Sequence, residues 1–98
     1  MNNEQARQVL HGAVVNHKFT DMMATAYSRY EDEGKYEKWT DYDKFLRDAW
    51  NTNVGEGTVL KTTKRPFGLV IDFGEVKWKV VVKRGSGRKY WVEARRAV

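Results

Sequence analysis

His11 and His17 are the only histidines in this 98-residue chain, and cysteine is absent. A helical metal pair needs the i, i+4 spacing that stacks two rings on one face; six residues put them about 120° apart around the axis. With no third histidine and no cysteine, the usual nitrogen and sulfur donor set of zinc is incomplete. Thiolate nucleophiles and disulfides are excluded by the same composition. Ser28 and Ser86 are the serines open to a Ser-His-Asp arrangement, yet neither sits in the strained strand-to-helix turn that exposes such a nucleophile.

Two further spacings imitate phosphate chemistry. Glu75-Val76-Lys77 has the acid-x-lysine order by which a strand presents a magnesium ligand and a cation to one phosphate. Such sites need another carboxylate, and only Asp72, across a turn, and Asp48, upstream, are near. A chain that is 32% charged generates this spacing readily, so the segment reads as turn residues opening a strand. Gly85-Ser86-Gly87 runs into Arg88-Lys89-Tyr90-Trp91-Val92 rather than into a helix N-terminus, which makes it a hairpin turn and not a phosphate loop. The expectation is a non-enzymatic protein with no metal or cofactor.

Cations remain. Lys77, Lys79 and Lys83 alternate along one predicted strand, and Arg84, Arg88 and Lys89 gather at the turn that follows. Trp91, two residues after Lys89, projects from the same face. Cations beside an aromatic are what phosphate neutralisation and base stacking require, so the expected partner is nucleic acid, DNA or RNA. Charge is segregated accordingly: residues 1–54 carry 7 Lys/Arg against 9 Asp/Glu, and residues 55–98 carry 11 against 4, within a net charge of +5. The competing expectation is a protein-binding inhibitor or adaptor, in the style of compact phage inhibitors of host enzymes. It would act through Glu31, Asp32, Glu33, Tyr36, Glu37 and Trp39, where carboxylates alternate with hot-spot aromatics.

These groups need positioning elements. Ala6, Val9, Leu10, Ala13 and Val14 recur at helical spacing, and Phe19, Met22, Met23, Ala26, Tyr27 and Tyr30 repeat the pattern after a phase break near Asn16–Lys18. This predicts two helices, or one bent helix, closing at Glu31-Asp32-Glu33 with Gly34 as a left-handed cap. A further helix begins with Thr40 as N-cap and presents Tyr42, Phe45, Leu46, Ala49 and Trp50 on one stripe. Beyond Gly57 the period changes to two. Thr58–Thr63, Phe67–Phe73, Val76–Lys83 and Lys89–Ala94 read as strands, with Pro66 in a turn and with Val76, Trp78, Val80 and Val82 facing the core while Lys77, Lys79 and Val81 face out.

The predicted fold is α+β: two or three N-terminal helices (residues 1–54) packed on a C-terminal four-stranded antiparallel sheet (55–98), forming one domain over residues 1–98. Gly57-Thr58-Val59-Leu60, Phe67 to Phe73, Lys77-Trp78-Lys79-Val80 and Lys89-Tyr90-Trp91-Val92 resemble the strand order of Tudor-like or KOW-like small barrels of the SH3-like superfold. That resemblance, over about residues 57–98, implies that the sheet forms an SH3-like small barrel as one option, in a superfold whose members bind nucleic acid, peptide or protein. No apolar run approaches the ~20 residues that span a bilayer, and no basic-then-apolar segment reads as a signal peptide. A cytoplasmic protein with no membrane partner is expected.

Overall fold

The computed structural model describes residues 1–34, 38–87 and 89–97. Three helices, α1 (Asn3–Val14), α2 (His17–Glu33) and α3 (Trp39–Asn53), precede four strands: β1 (Thr58–Lys64), β2 (Phe67–Asp72), β3 (Lys77–Arg84) and β4 (Tyr90–Arg96). The α+β arrangement is the expected one. The strands form an antiparallel meander in the order β1-β2-β3-β4, leaving β1 and β4 as edges. The barrel closure implied by the SH3-like resemblance is therefore not present, because β1 and β4 do not pair.

Local signals explain the helix boundaries. Asn2 and Gln5 form a reciprocal capping box at the start of α1. The phase break falls at Val15-Asn16, where the Asn16 side chain accepts the Phe19 N–H at 3.0 Å and caps α2. The Asn16 amide also donates to the Asn53 carbonyl, tying the break to the end of α3. Two expectations are corrected. Helix α3 starts at Trp39 with Lys38 in the cap position and no side-chain cap, so Thr40 lies inside the helix. The Trp39 indole donates to Thr62 Oγ1 on β1, and this anchorage holds the residue in the first turn. Gly34 is right-handed (φ −55°), not left-handed. Its missing Cβ serves a different purpose, since a Cβ there would stand 2.7 Å from the Tyr30 ring.

One face of the sheet carries the core. Trp78, Val80 and Val82 of β3, Leu69 and Ile71 of β2, and Val92 of β4 meet Leu10, Phe19, Met23, Leu46 and Trp50 from the helices. Trp50 is fully buried, packs edge-on against Phe19 and donates its indole N–H to the Glu56 carbonyl at 2.8 Å. Val76, Trp78, Val80 and Val82 thus lie where alternation placed them, although Val76 is only half-buried.

The other face differs from expectation at Val81, which is 0% exposed although it points away from the helices. Its neighbour in register is Gly68. A Cβ at Gly68 would collide with the Val80 carbonyl oxygen and come within 2.8 Å of the Val81 Cα. The β2 and β3 backbones therefore approach closely at this point, and Val70 and Val81 are buried on this side. Gly68→Ala forces the two backbones apart and is expected to cost about 3 kcal/mol. Gly12→Ala, where the added methyl meets nothing within 4 Å on α1, is expected to stabilise by about 0.5–1 kcal/mol. Urea denaturation of both variants checks the contrast; equal shifts would refute the close approach at Gly68.

Candidate nucleic-acid interface

The register assembles the outward face in rows. Lys61, Val70, Lys79 and Arg95 are successive partners across all four strands, a row roughly 14 Å long at the usual strand spacing. Thr63, Gly68, Val81 and Glu93 form the next row, Lys83 stands opposite Trp91, and Asp72 stands opposite Lys77. Residues directly opposite in an antiparallel pair share a face, so Lys61, Lys77, Lys79, Lys83, Arg95 and Trp91 all belong to this one. Among the described residues, none of the four lysines is ion-paired with a carboxylate.

Trp91 is 45% exposed on this face. Its ring lies against Gly85, where a Cβ would approach to 2.9 Å, and its Nε1 donates to Glu93 Oε1 at 2.8 Å. Arg95 donates to the other Glu93 oxygen at 3.2 Å. These bonds, the indole first and the guanidinium after it, hold the Glu93 carboxyl below the usual carboxylate range. The acid within the basic face is thus partly neutralised and fixes the ring.

The sequence-predicted cations divide. Lys77, Lys79 and Lys83 share the outward face with Trp91, with Lys79 and Lys83 half-buried, and Lys89 is exposed in the connection before β4. Arg84 does not join them. Strand alternation turns it towards α2, where its Nη1 is 3.2 Å from the Glu31 carboxylate and its guanidinium lies over the Tyr90 ring. Arg88 lies outside the described residues. Two cations of the face escape sequence reasoning. Lys61 points outward only because a bulge between Val59 and Lys61 inverts the alternation of β1, and no residue of that segment signals it. Arg95 follows from period two once β4 is extended past Ala94 to Arg96.

Part of the acidic segment is engaged within the protein itself. Glu31 bonds Arg84 and accepts from the Tyr90 hydroxyl, and Glu33 lies 3.9 Å from Arg29. Tyr36 and Glu37 lie outside the described residues. Asp32 borders a cavity of about 670 Å³ together with Tyr30, Trp39, Lys64 and Arg65, a lining of both charge signs. Trp39 stacks on Tyr42 and meets Tyr30 and Phe67 edge-on. Its indole donates to Thr62 at 3.1 Å, Thr62 donates to Asp43 at 2.6 Å, and Asp43 receives Arg47 at 2.9 Å. The Thr62 hydroxyl foremost holds the Asp43 carboxyl below its ordinary range; burial opposes it, and Arg47 adds to the lowering.

The remaining imitations of chemistry come apart. His11 is on α1 and His17 opens α2. Asp72 accepts the Gly74 N–H at 2.7 Å within the β2–β3 turn, and Asp48 stands on α3, across the sheet from Asp72 and Lys77. Among the described residues no three His, Cys, Asp or Glu side chains gather as a metal site, and no helix is long and apolar enough to cross a membrane. No family model, curated protein or solved structure matches the chain.

Two outcomes follow from this geometry. Trp39→Ala removes three ring contacts and the Thr62 bond, and is expected to lower stability by about 3 kcal/mol rather than leave it unchanged. A thermal midpoint equal to wild type would return Trp39 to the free surface. The depressed carboxyls of Asp43 and Glu93 bind protons later than in the unfolded chain. Their contribution is complete above the unfolded values near pH 4 and is lost as pH falls through the folded ones. Asp43→Asn should therefore flatten the fall of the urea midpoint between about pH 5 and pH 2.5, and an unchanged slope would exclude Asp43 as its source.

Proposed function

We propose that this protein is a small non-enzymatic binding module that takes single-stranded nucleic acid across the open face of its sheet. The observation that carries this reading is the combination, on the one face the helices leave uncovered, of five cations with an exposed indole. Lys61, Lys77, Lys79 and Lys83 neutralise phosphates, with Arg95 shared between phosphate and Glu93, and Trp91 offers a ring on which an unstacked base lies. The ring's anchorage to Glu93 favours stacking, because a fixed platform loses little entropy on binding. The competing protein-binding reading has less support, since Glu31 and Trp39 are engaged within the chain.

Salt dependence is the test. Lys61, Lys77 and Lys83 together replaced by Gln should alter stability by no more than about 0.5 kcal/mol per site. Wild-type affinity for a generic single-stranded oligonucleotide should fall log-linearly with salt, and the triple variant should flatten the slope by about 2, at ~0.7 per lost phosphate contact. Trp91→Ala should weaken single-strand binding by about 1–3 kcal/mol and affect duplex less. No wild-type binding at low salt, or coincident slopes for wild type and triple variant, would end this reading.

A further inference from the structure

The two edges of the sheet are guarded unequally. Strand β1 carries a bulge at Leu60, and the Arg47 guanidinium donates to the carbonyls of Val59 (2.9 Å) and Leu60 (3.4 Å). Bulges and covering cations are how sheets blunt an edge against strand addition. Strand β4 has no bulge and, among the described residues, no side chain bonded to its outer carbonyls: its register with β3 is unbroken from Tyr90 to Arg96, it contains no proline, and its guard is confined to its own charged side chains. The Gly85 N–H donates to the Lys89 carbonyl and the Ala97 N–H to the Lys77 carbonyl. Antiparallel alternation then turns the backbone groups of residues 91, 93 and 95 towards β3, and those of Tyr90, Val92, Ala94 and Arg96 outward. Among the described residues no further strand pairs with that side.

A groove accompanies this open edge. A cavity of about 340 Å³ between α1 and β4 has Leu10, Val14, Trp78 and Val92 as its apolar lining, with Arg7 and His11 at its rim. Trp78 itself lies between Arg7 and Arg96, whose guanidinium carbons are each 5.9 Å from its ring centroid. Arg7, Arg95 and Arg96 are exposed, and the one acid of the strand, Glu93, is already held by Trp91 and Arg95.

We propose that the β4 edge receives an extended acidic–apolar peptide segment of a partner protein as a fifth strand. Main-chain bonds form to Val92 and Ala94, alternate apolar side chains enter the groove beside Leu10 and Trp78, and carboxylates meet Arg95 and Arg96. Charge decides the occupant. A second copy of this chain, of net charge +5, would bring another Arg95 and Arg96 to the same edge, whereas an acidic strand neutralises them.

The probe is a capped seven-residue peptide of two glutamates followed by valine, threonine, valine, threonine and valine, titrated into the whole protein without nucleic acid. Amide hydrogen exchange at Val92 and Ala94 should slow at least tenfold, with β1 amides unchanged. The same peptide with proline for its central valine, equal in charge, should have no effect. Ala94→Pro removes an outward N–H without touching the β3 pairing and should abolish the protection. Arg96→Glu, at an exposed site, should weaken it at least fivefold and serves if the proline variant does not fold. The proposal is overturned if neither amide is protected or if the proline peptide protects equally. Protection that rises with protein concentration in the absence of peptide, the mark of a second copy on the edge, overturns it as well.

Discussion

Phe67 holds the two layers of this protein together. Its buried ring meets Tyr27 at 5.2 Å, Tyr30 at 5.4 Å, Trp39 at 5.9 Å and Tyr42 at 6.4 Å between centroids, so both α2 and α3 are pinned to one residue of β2. In a chain of this length the buried area is small and net stability is a narrow difference, so a hub that joins three elements matters more than its own surface suggests. The hub also decides which face of the sheet is covered. The next residue, Gly68, points the other way and lets the β3 backbone approach β2 closely. One dipeptide therefore fixes the helical layer on one side and the close approach of β2 and β3 on the other.

The charge split between the halves takes on a physical meaning in this arrangement. Where helical acids reach the sheet they are consumed at its margin: Glu31 by Arg84, and Asp43 by Thr62 and Arg47. Most of the sheet's remaining cations are those that the pleat turns away from the helices, Arg96 over Trp78 and Lys64 over Trp39 being exceptions. Segregation along the sequence becomes segregation across the sheet, with an acidic helical layer and a basic open face. Each exposed pair contributes little to folding, so the arrangement bears on partners rather than on stability.

Much of this was legible in the residues. Period 3.6 before residue 54 and period 2 after residue 57 located the helical and strand segments, because burial on one face imposes those repeats, but left open whether the first helical stretch was one bent helix or the two observed. What escaped was set by contacts between distant segments. Trp39 is drawn into α3 by Thr62, 23 residues later, so Thr40 could not act as the cap. Gly34 resembles a left-handed cap in sequence, yet it is spaced for the Tyr30 ring. The side on which Arg84 falls was fixed by alternation from Val82, but its position in a run of cations suggested the turn cluster instead. The bulge that turns Lys61 outward leaves no trace in Thr58-Val59-Leu60-Lys61. Periodicity reports which residues an element buries; it does not report where the element slips by one.

Arg95 connects the open face to the β4 edge. It closes the row that begins at Lys61, and it also lies on the strand whose outer side is unpaired. On the two proposals above, a nucleic-acid phosphate over the face and a carboxylate on an added strand would both draw on this guanidinium, which already shares itself with Glu93. Occupation of one such site by an anion would lower the charge available to the other, so the two proposed bindings would oppose each other by the same factor in either direction. At the separation of neighbouring side chains across a strand pair, two unit charges in a surface environment of effective dielectric near 20 interact by about 3 kcal/mol before salt screening. The antagonism is therefore local to Arg95 and fades with ionic strength, whereas the stacking surface of Trp91 and the main-chain bonds at Val92 and Ala94 are left intact. If both proposals hold, such a module would exchange a nucleic acid for an acidic strand without disturbing the Phe67 hub, which lies on the opposite face from the shared cation.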